Sequence, residues 1–106
     1  MTDKEILIRA KELLVKRGWC QGEYEDSQGR ICLSKSVNLV ESKLKDRRSV
    51  RILIKDLIVK PNGPFISIPT WNDVPERTKE EVFSLLDRAI EKAQEDEISS
   101  RAHVHA

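Results

Sequence analysis

The segment 49-SVRILIKDLIVKPNG-63 decides the fold class of this chain. Val50, Ile52 and Ile54 alternate as a strand would, and the stretch is rich in β-branched residues. Val50, Leu53, Ile54, Leu57 and Ile58 also fit a helical stripe at every step. The helical template accounts for five positions over nine residues, whereas the strand template fails over 56–59. The segment therefore reads as a helix over about 49–59, ended by Pro61-Asn62-Gly63.

Helical patterns flank it on both sides. Thr2 and Glu5 have capping-box spacing, in which hydroxyl and carboxylate each satisfy an orphaned backbone N–H. Ile6, Ala10, Leu13, Leu14 and Arg17 then share one face, and Gly18 suits the left-handed residue past the end, giving a helix over about 3–17. After the glycine-rich loop 18-GWCQGEYEDSQGR-30, Leu33, Val37, Val40 and Leu44 are spaced by four, three and four, a helix over about 31–45. Phe65, Ile66 and Ile68 alternate between Pro64 and Pro69, a short extended segment at 65–68. Thr78 and Glu81 form a second capping box before an apolar stripe that includes Val82, Leu86, Ala89 and Ala93, the last helix, over about 78–96. The tail 98-ISSRAHVHA-106 lacks periodicity and is expected to be mobile. The expected fold is mainly α, a compact bundle of about four helices, with residues 1–106 forming a single domain.

Of the residues, 39% are hydrophobic and 35% charged, which fits a small soluble domain with a charge-rich surface. No run of eighteen apolar residues exists to span a membrane, and MTDKEILIRAKELL interleaves charges unlike a secretory signal. Two cysteines without an export signal point to the cytoplasm and free thiols. The net charge of +1 hides a segregation. Residues 41–60 carry seven bases against three acids, and 73–97 carry nine acids against four bases. Such faces steer charged partners, a second copy of the chain among them.

A second informative stretch is 69-PTWNDVPERTKEEV-82. Val74 precedes Pro75 and is held out of the α region, and Asp73 suits the cap of a short turn. In one reading Trp71 packs into the core beneath the last helix, Asn72 bonds to local backbone and Asp73 caps. In the other, Trp19, Cys20 and Gln21 of the glycine-rich loop face Trp71, Asn72 and Asp73. Those six residues would form a shallow site for a nucleobase or small polar ligand. The sequence leaves both readings open.

The chain resembles a family of small uncharacterised proteins from bacteria and their phages, a domain of unknown function. The resemblance is carried by Gly18-Trp19-Cys20-Gln21-Gly22, the Gly29-Arg30 turn, Cys32-Leu33, Trp71-Asn72-Asp73, Pro75, Arg77-Thr78, Glu80-Glu81-Val82 and Leu86-Asp87-Arg88-Ala89-Ile90. It covers most of residues 5–93 and implies a mainly helical fold, but no activity, cofactor or partner. Where the family tends to place small residues after the second cysteine, this chain has Ser34-Lys35-Ser36, and its preceding connection is shorter.

Other chemistries find less support. Cys20, Cys32, His103 and His105 lack the tight knuckle spacing of a structural zinc site, so no metal and no cofactor are expected. The same tail histidines are the only imidazoles that could serve a cysteine nucleophile. No Walker loop, G-x-G-x-x-G, H-E-x-x-H or G-x-S-x-G occurs, so an enzyme is the minority reading. The basic patch Lys43, Lys45, Arg47, Arg48 and Arg51 could contact phosphates, a weak case for nucleic acid. The leading expectation is an accessory protein acting by binding, with a protein partner or self-association. A small-ligand or nucleotide module is the alternative and nucleic-acid binding the second.

Overall fold

Fifteen residues, Asp3–Arg17, form α1, against which the second and the last helices pack most extensively. The Thr2 hydroxyl caps it by accepting from the Glu5 N–H at 3.2 Å. At its far end the Gly18 N–H closes on the Leu14 carbonyl at 2.8 Å, with Gly18 at φ 89°. An added Cβ there would lie 3.0 Å from Arg30 Cγ, so the turn needs glycine for both its backbone angle and its space.

The computed structural model describes residues 1–42, 49–59, 63 and 66–104, with side chains through residue 99. Among them are α2 (Leu33–Glu41), α3 (Ser49–Ile58), α4 (Ile68–Asn72) and α5 (Lys79–Val104), and no strand. The deciding segment is a helix: Val50, Ile54 and Ile58 are buried, while Ile52 is 57% exposed. A strand would have put Ile52 on the opposite face from Val50's neighbours at odd spacing and on the same face as Val50 and Ile54.

The other predicted boundaries shift for local reasons. The extended segment predicted at 65–68 is shorter than expected, with Ser67 extended. Phe65 lies outside the described residues, Ile66 and Ser67 have no regular structure, and Ile68 opens α4. Ser67 Oγ accepts from the Thr70 N–H at 3.2 Å, and Pro69 sits in the first turn, where its missing N–H costs nothing. The second helix starts at Leu33 rather than residue 31, because Ile31 is held in backbone bridges to Trp19 and Glu25. Its predicted end, including Leu44, lies outside the described residues. The last helix begins with a complete box: Thr78 Oγ1 accepts from Glu81 N at 3.2 Å, and Glu81 Oε1 from Thr78 N at 3.0 Å. It runs on to Val104, past the predicted end and through most of the predicted tail.

Buried side chains from α1, α2, α3, Ile68 and α5 form one core, with Ile6, Leu7, Leu14, Val37, Ile54 and Leu86 at its centre. The Lys11–Asp87 ion pair (2.6 Å) and the proximity of Thr2 and Ile8 to Gln94 and Ile98 set α1 and α5 antiparallel. Ser34 and Ser36 of α2 are buried. Among the described residues, no helix is long and apolar enough to cross a membrane.

Candidate functional site

The two stretches that the sequence nominates do meet, and Asn72 is where they join. The loop over 18–32 is folded on itself first. Cys20 N–H donates to the Ile31 carbonyl and Ile31 N–H to the Gly18 carbonyl, both at 3.0 Å. Arg17 Nε donates to the Gly29 carbonyl at 2.9 Å and its guanidinium pairs with Glu25 at 2.8 Å. Asp26 closes the tip by accepting from the backbone of Gln28 and Arg30 and from Arg30 Nε. Burial raises the Asp26 carboxyl, but those hydrogen bonds and the Arg30 charge outweigh it and hold the group below its ordinary value.

α4 presents Asn72 to this loop. The residue is 0% exposed. Asn72 Oδ1 accepts from Trp19 Nε1 at 2.7 Å and from the Leu33 N–H at 3.0 Å. Asn72 Nδ2 donates to the Cys20 carbonyl at 3.2 Å and to Asp73 Oδ1 at 2.9 Å. An amide has two donor and two acceptor positions, and all four are used inside the protein. Around it, Gln21 Nε2 donates to the carbonyls of Asn72 (2.9 Å) and Val74 (2.7 Å), and the Gly22 N–H donates to Asp73 Oδ1 at 3.0 Å. Asn72 therefore bonds to distant backbone rather than local backbone, and Asp73 reaches across to the loop.

The indoles are similarly engaged. Trp19 and Trp71 are half-buried against the core. The Arg77 guanidinium lies 3.8 Å from the centroid of the Trp71 ring, while Arg77 Nε donates to the Trp71 carbonyl at 3.0 Å and Nη1 pairs with Glu81 at 2.9 Å. Sequence reasoning missed Arg77; its place six residues after Trp71, with Glu81 one turn further on, was the available signal.

Both cysteines are buried and free. The Cys20 thiol lies within bonding reach of the Glu23 (3.4 Å) and Arg30 (3.3 Å) carbonyls, and Cys32 Sγ caps α2 by accepting from the Lys35 N–H at 3.4 Å. Burial pushes both thiols above the ordinary range, the reverse of an activated nucleophile. The zinc reading turns on His103 and His105, whose side chains lie outside the described residues. Among the described residues no cluster of three or more His, Cys, Asp or Glu could hold a metal ion. Lys43, Lys45, Arg47 and Arg48 of the basic patch also lie outside them. Arg51 is paired with Glu41 at 3.1 Å and donates to Asn38.

Of the concavities among the described residues, one of about 510 Å³ lies between the start of α1 and the far part of α5, lined by Thr2, Glu5, Ile8, Gln94, Glu97 and Ile98. A small one, about 220 Å³, is lined by Gly22, Glu23, Tyr24, Cys32, Pro69 and Asp73, so Asp73 is the nominated residue that borders open space. A larger groove of about 560 Å³ separates α1 from α2. Half-buried Leu13, Leu39 and Val40 line it with Met1, and Arg9, Glu12, Lys16 and Arg17 add charge. Sequence reasoning missed the groove because Leu13 and Val40 read as core positions.

The fold and the joint together define a small all-helical domain held by a loop-to-helix clasp. Within that class, the chain belongs to the family of unknown function DUF6197, whose profile matches residues 1–92. No curated protein and no solved structure matches it.

Proposed function

We propose that the chain is a non-catalytic binding module that docks a segment of another protein in the groove between α1 and α2. One observation carries this reading: an apolar lining next to two basic side chains that form no ion pair among the described residues. Arg9 and Lys16 form no ion pair among the described residues, whereas Arg17 is neutralised by Glu25. A groove of this kind suits an amphipathic acidic helix, which buries its apolar face and sets carboxylates against the bases. The buried free thiols support a reducing compartment such as the cytoplasm.

The small-ligand reading has the cavity beside Tyr24 and Asp73 in its favour. Its volume of about 220 Å³ falls short of the roughly 300–1,000 Å³ usual for ligand pockets. The amide and indoles that would recognise a nucleotide are committed to internal partners. Docking of a protein segment is the stronger reading.

A designed helical peptide with leucines on one face and glutamates on the other tests it by NMR titration at low salt. The expected result is shift changes centred on Leu13, Leu39 and Val40 that are lost in an Arg9→Glu, Lys16→Glu double variant. No change at millimolar peptide would overturn the reading.

A further inference from the structure

We infer that the segment docked in this groove is the acidic C-terminal half of α5 from a second copy of the chain. The inference rests on the reading of the groove as a protein-docking surface and names its occupant. Along α5, burial ends at Ala93, which is 7% exposed; none of residues 94–99 is buried, although the helix continues to Val104. The family match ends at the same place, at residue 92. Beyond Ala93 the helix is an arm outside the buried core, with Gln94, Glu97 and Ile98 bordering the start of α1.

The arm is opposite in charge to the unpaired bases of the groove. Residues 91–99 carry four acids against one base. Glu91, Glu95 and Ile98 stand at i, i+4 and i+7 and all three are exposed, Ile98 at 56%. On the receiving side Arg9, Leu13 and Lys16 stand at the same spacing on α1. Both triplets span about 10.5 Å of helix, so a parallel pairing sets Glu91 against Arg9, with Glu95 within one turn of Lys16 and Ile98 within one turn of Leu13.

The arm cannot reach its own groove. It lies antiparallel to α1 on the face bearing Lys11 and Ile8, whereas the groove opens between α1 and α2. A second copy has no such restriction.

Light scattering and sedimentation over a wide concentration range test the inference. At low salt the mass should rise above the 12.2 kDa of one chain and fall back as salt screens the contact. Arg9→Glu with Lys16→Glu, and separately Glu91→Arg with Glu95→Arg, should each weaken association by at least about tenfold through like-charge contact. An equimolar mixture of the two variants should restore it, since each reversed groove then finds an arm of opposite charge. All four residues are exposed and lack ion pairs among the described residues, so circular dichroism should stay unchanged.

A monomer at every concentration overturns the inference. If the acidic peptide still binds the groove, the docking reading survives; if it does not, both fail. Association that survives both charge reversals, or is not restored by mixing, also overturns the pairing of groove with arm.

Discussion

Replacing Asn72 with alanine should cost about 3–5 kcal/mol, a large part of the roughly 5–15 kcal/mol that holds a domain of this size folded. The substitution removes an amide that makes four hydrogen bonds. Three groups then lose partners. The Leu33 N–H, buried at the first turn of α2, is left unsatisfied at about 1–3 kcal/mol; Trp19 Nε1, half-buried, and the Cys20 carbonyl, an acceptor better tolerated unpaired than a donor, cost about 1 kcal/mol each. Asp73 keeps the Gly22 N–H and is spared. At about 4–8 °C per kcal/mol, the midpoint should fall by roughly 12–40 °C in thermal melts. Asn72→Asp should do no better. It retains the acceptors for Trp19 and Leu33 but aims a carboxylate oxygen at the Cys20 carbonyl and Asp73. Asp73→Asn, which keeps its acceptor, should lose under about 1 kcal/mol. Urea unfolding of the three variants, with Trp19 emission as a second probe, decides the matter. A loss below about 1 kcal/mol for Asn72→Ala would refute the structural role and make this amide a candidate ligand contact again.

Arg77→Ala should cost about 1–2 kcal/mol in urea unfolding, from the guanidinium over Trp71 and the bond to its carbonyl, and Arg77→Lys should recover less than half because ammonium lacks the planar fork. Gly18→Ala should cost more than Gly22→Ala in thermal melts: both have positive φ, but an added Cβ meets Arg30 Cγ at 3.0 Å only in the first. The acid limb of stability comes from Asp26 and Glu81. Burial raises Asp26 but its hydrogen bonds with Gln28 and Arg30 prevail; the Thr78 N–H foremost, then Arg77, lowers Glu81 against some burial. Both folded-state values lie below the ordinary 3.8 and 4.5, so their stabilisation is present above that range and lost as pH falls through the depressed values. Asp26→Asn with Glu81→Gln should flatten melting temperature against pH below about pH 5. At alkaline pH, burial holds both thiols above 9.0, so their contribution is present below that value and lost as pH rises through the raised ones; Cys20→Ser with Cys32→Ser should flatten that limb.

Much of the fold is legible in the sequence because its signals are local. The stripe through Val50, Leu53, Ile54, Leu57 and Ile58 outweighs the short alternation, and exposed Ile52 shows why five periodic positions discriminate better than three. The short helix α4 escapes that reading although its signals are local too. Pro69 looks like the limit of an edge strand, when Ser67 and Thr70 make it the first turn of a capped helix. The start of α2 has no such signal. A cysteine is an unusual cap, and the Leu33 N–H is satisfied by Asn72, 39 residues away in the chain. No short window of sequence holds both partners.

The same non-locality limits what the sequence says of the nominated residues. Composition suffices to bring Trp19, Gln21, Trp71, Asn72 and Asp73 under suspicion, since polar and aromatic residues on loops are what recognition uses. Whether they face a ligand or each other depends on how many of their bonding positions are already filled, and that count exists only once the loops meet. For Asn72 the count is four of four, which ties α4 to both the loop and the start of α2. A residue that holds three segments together cannot release a bond to a ligand without loosening all of them. Recognition is therefore better sought where side chains are ordered but their charges unmatched. Among the described residues that condition is met by Arg9 and Lys16 beside Leu13, and by Glu91 and Glu95 beside Ile98.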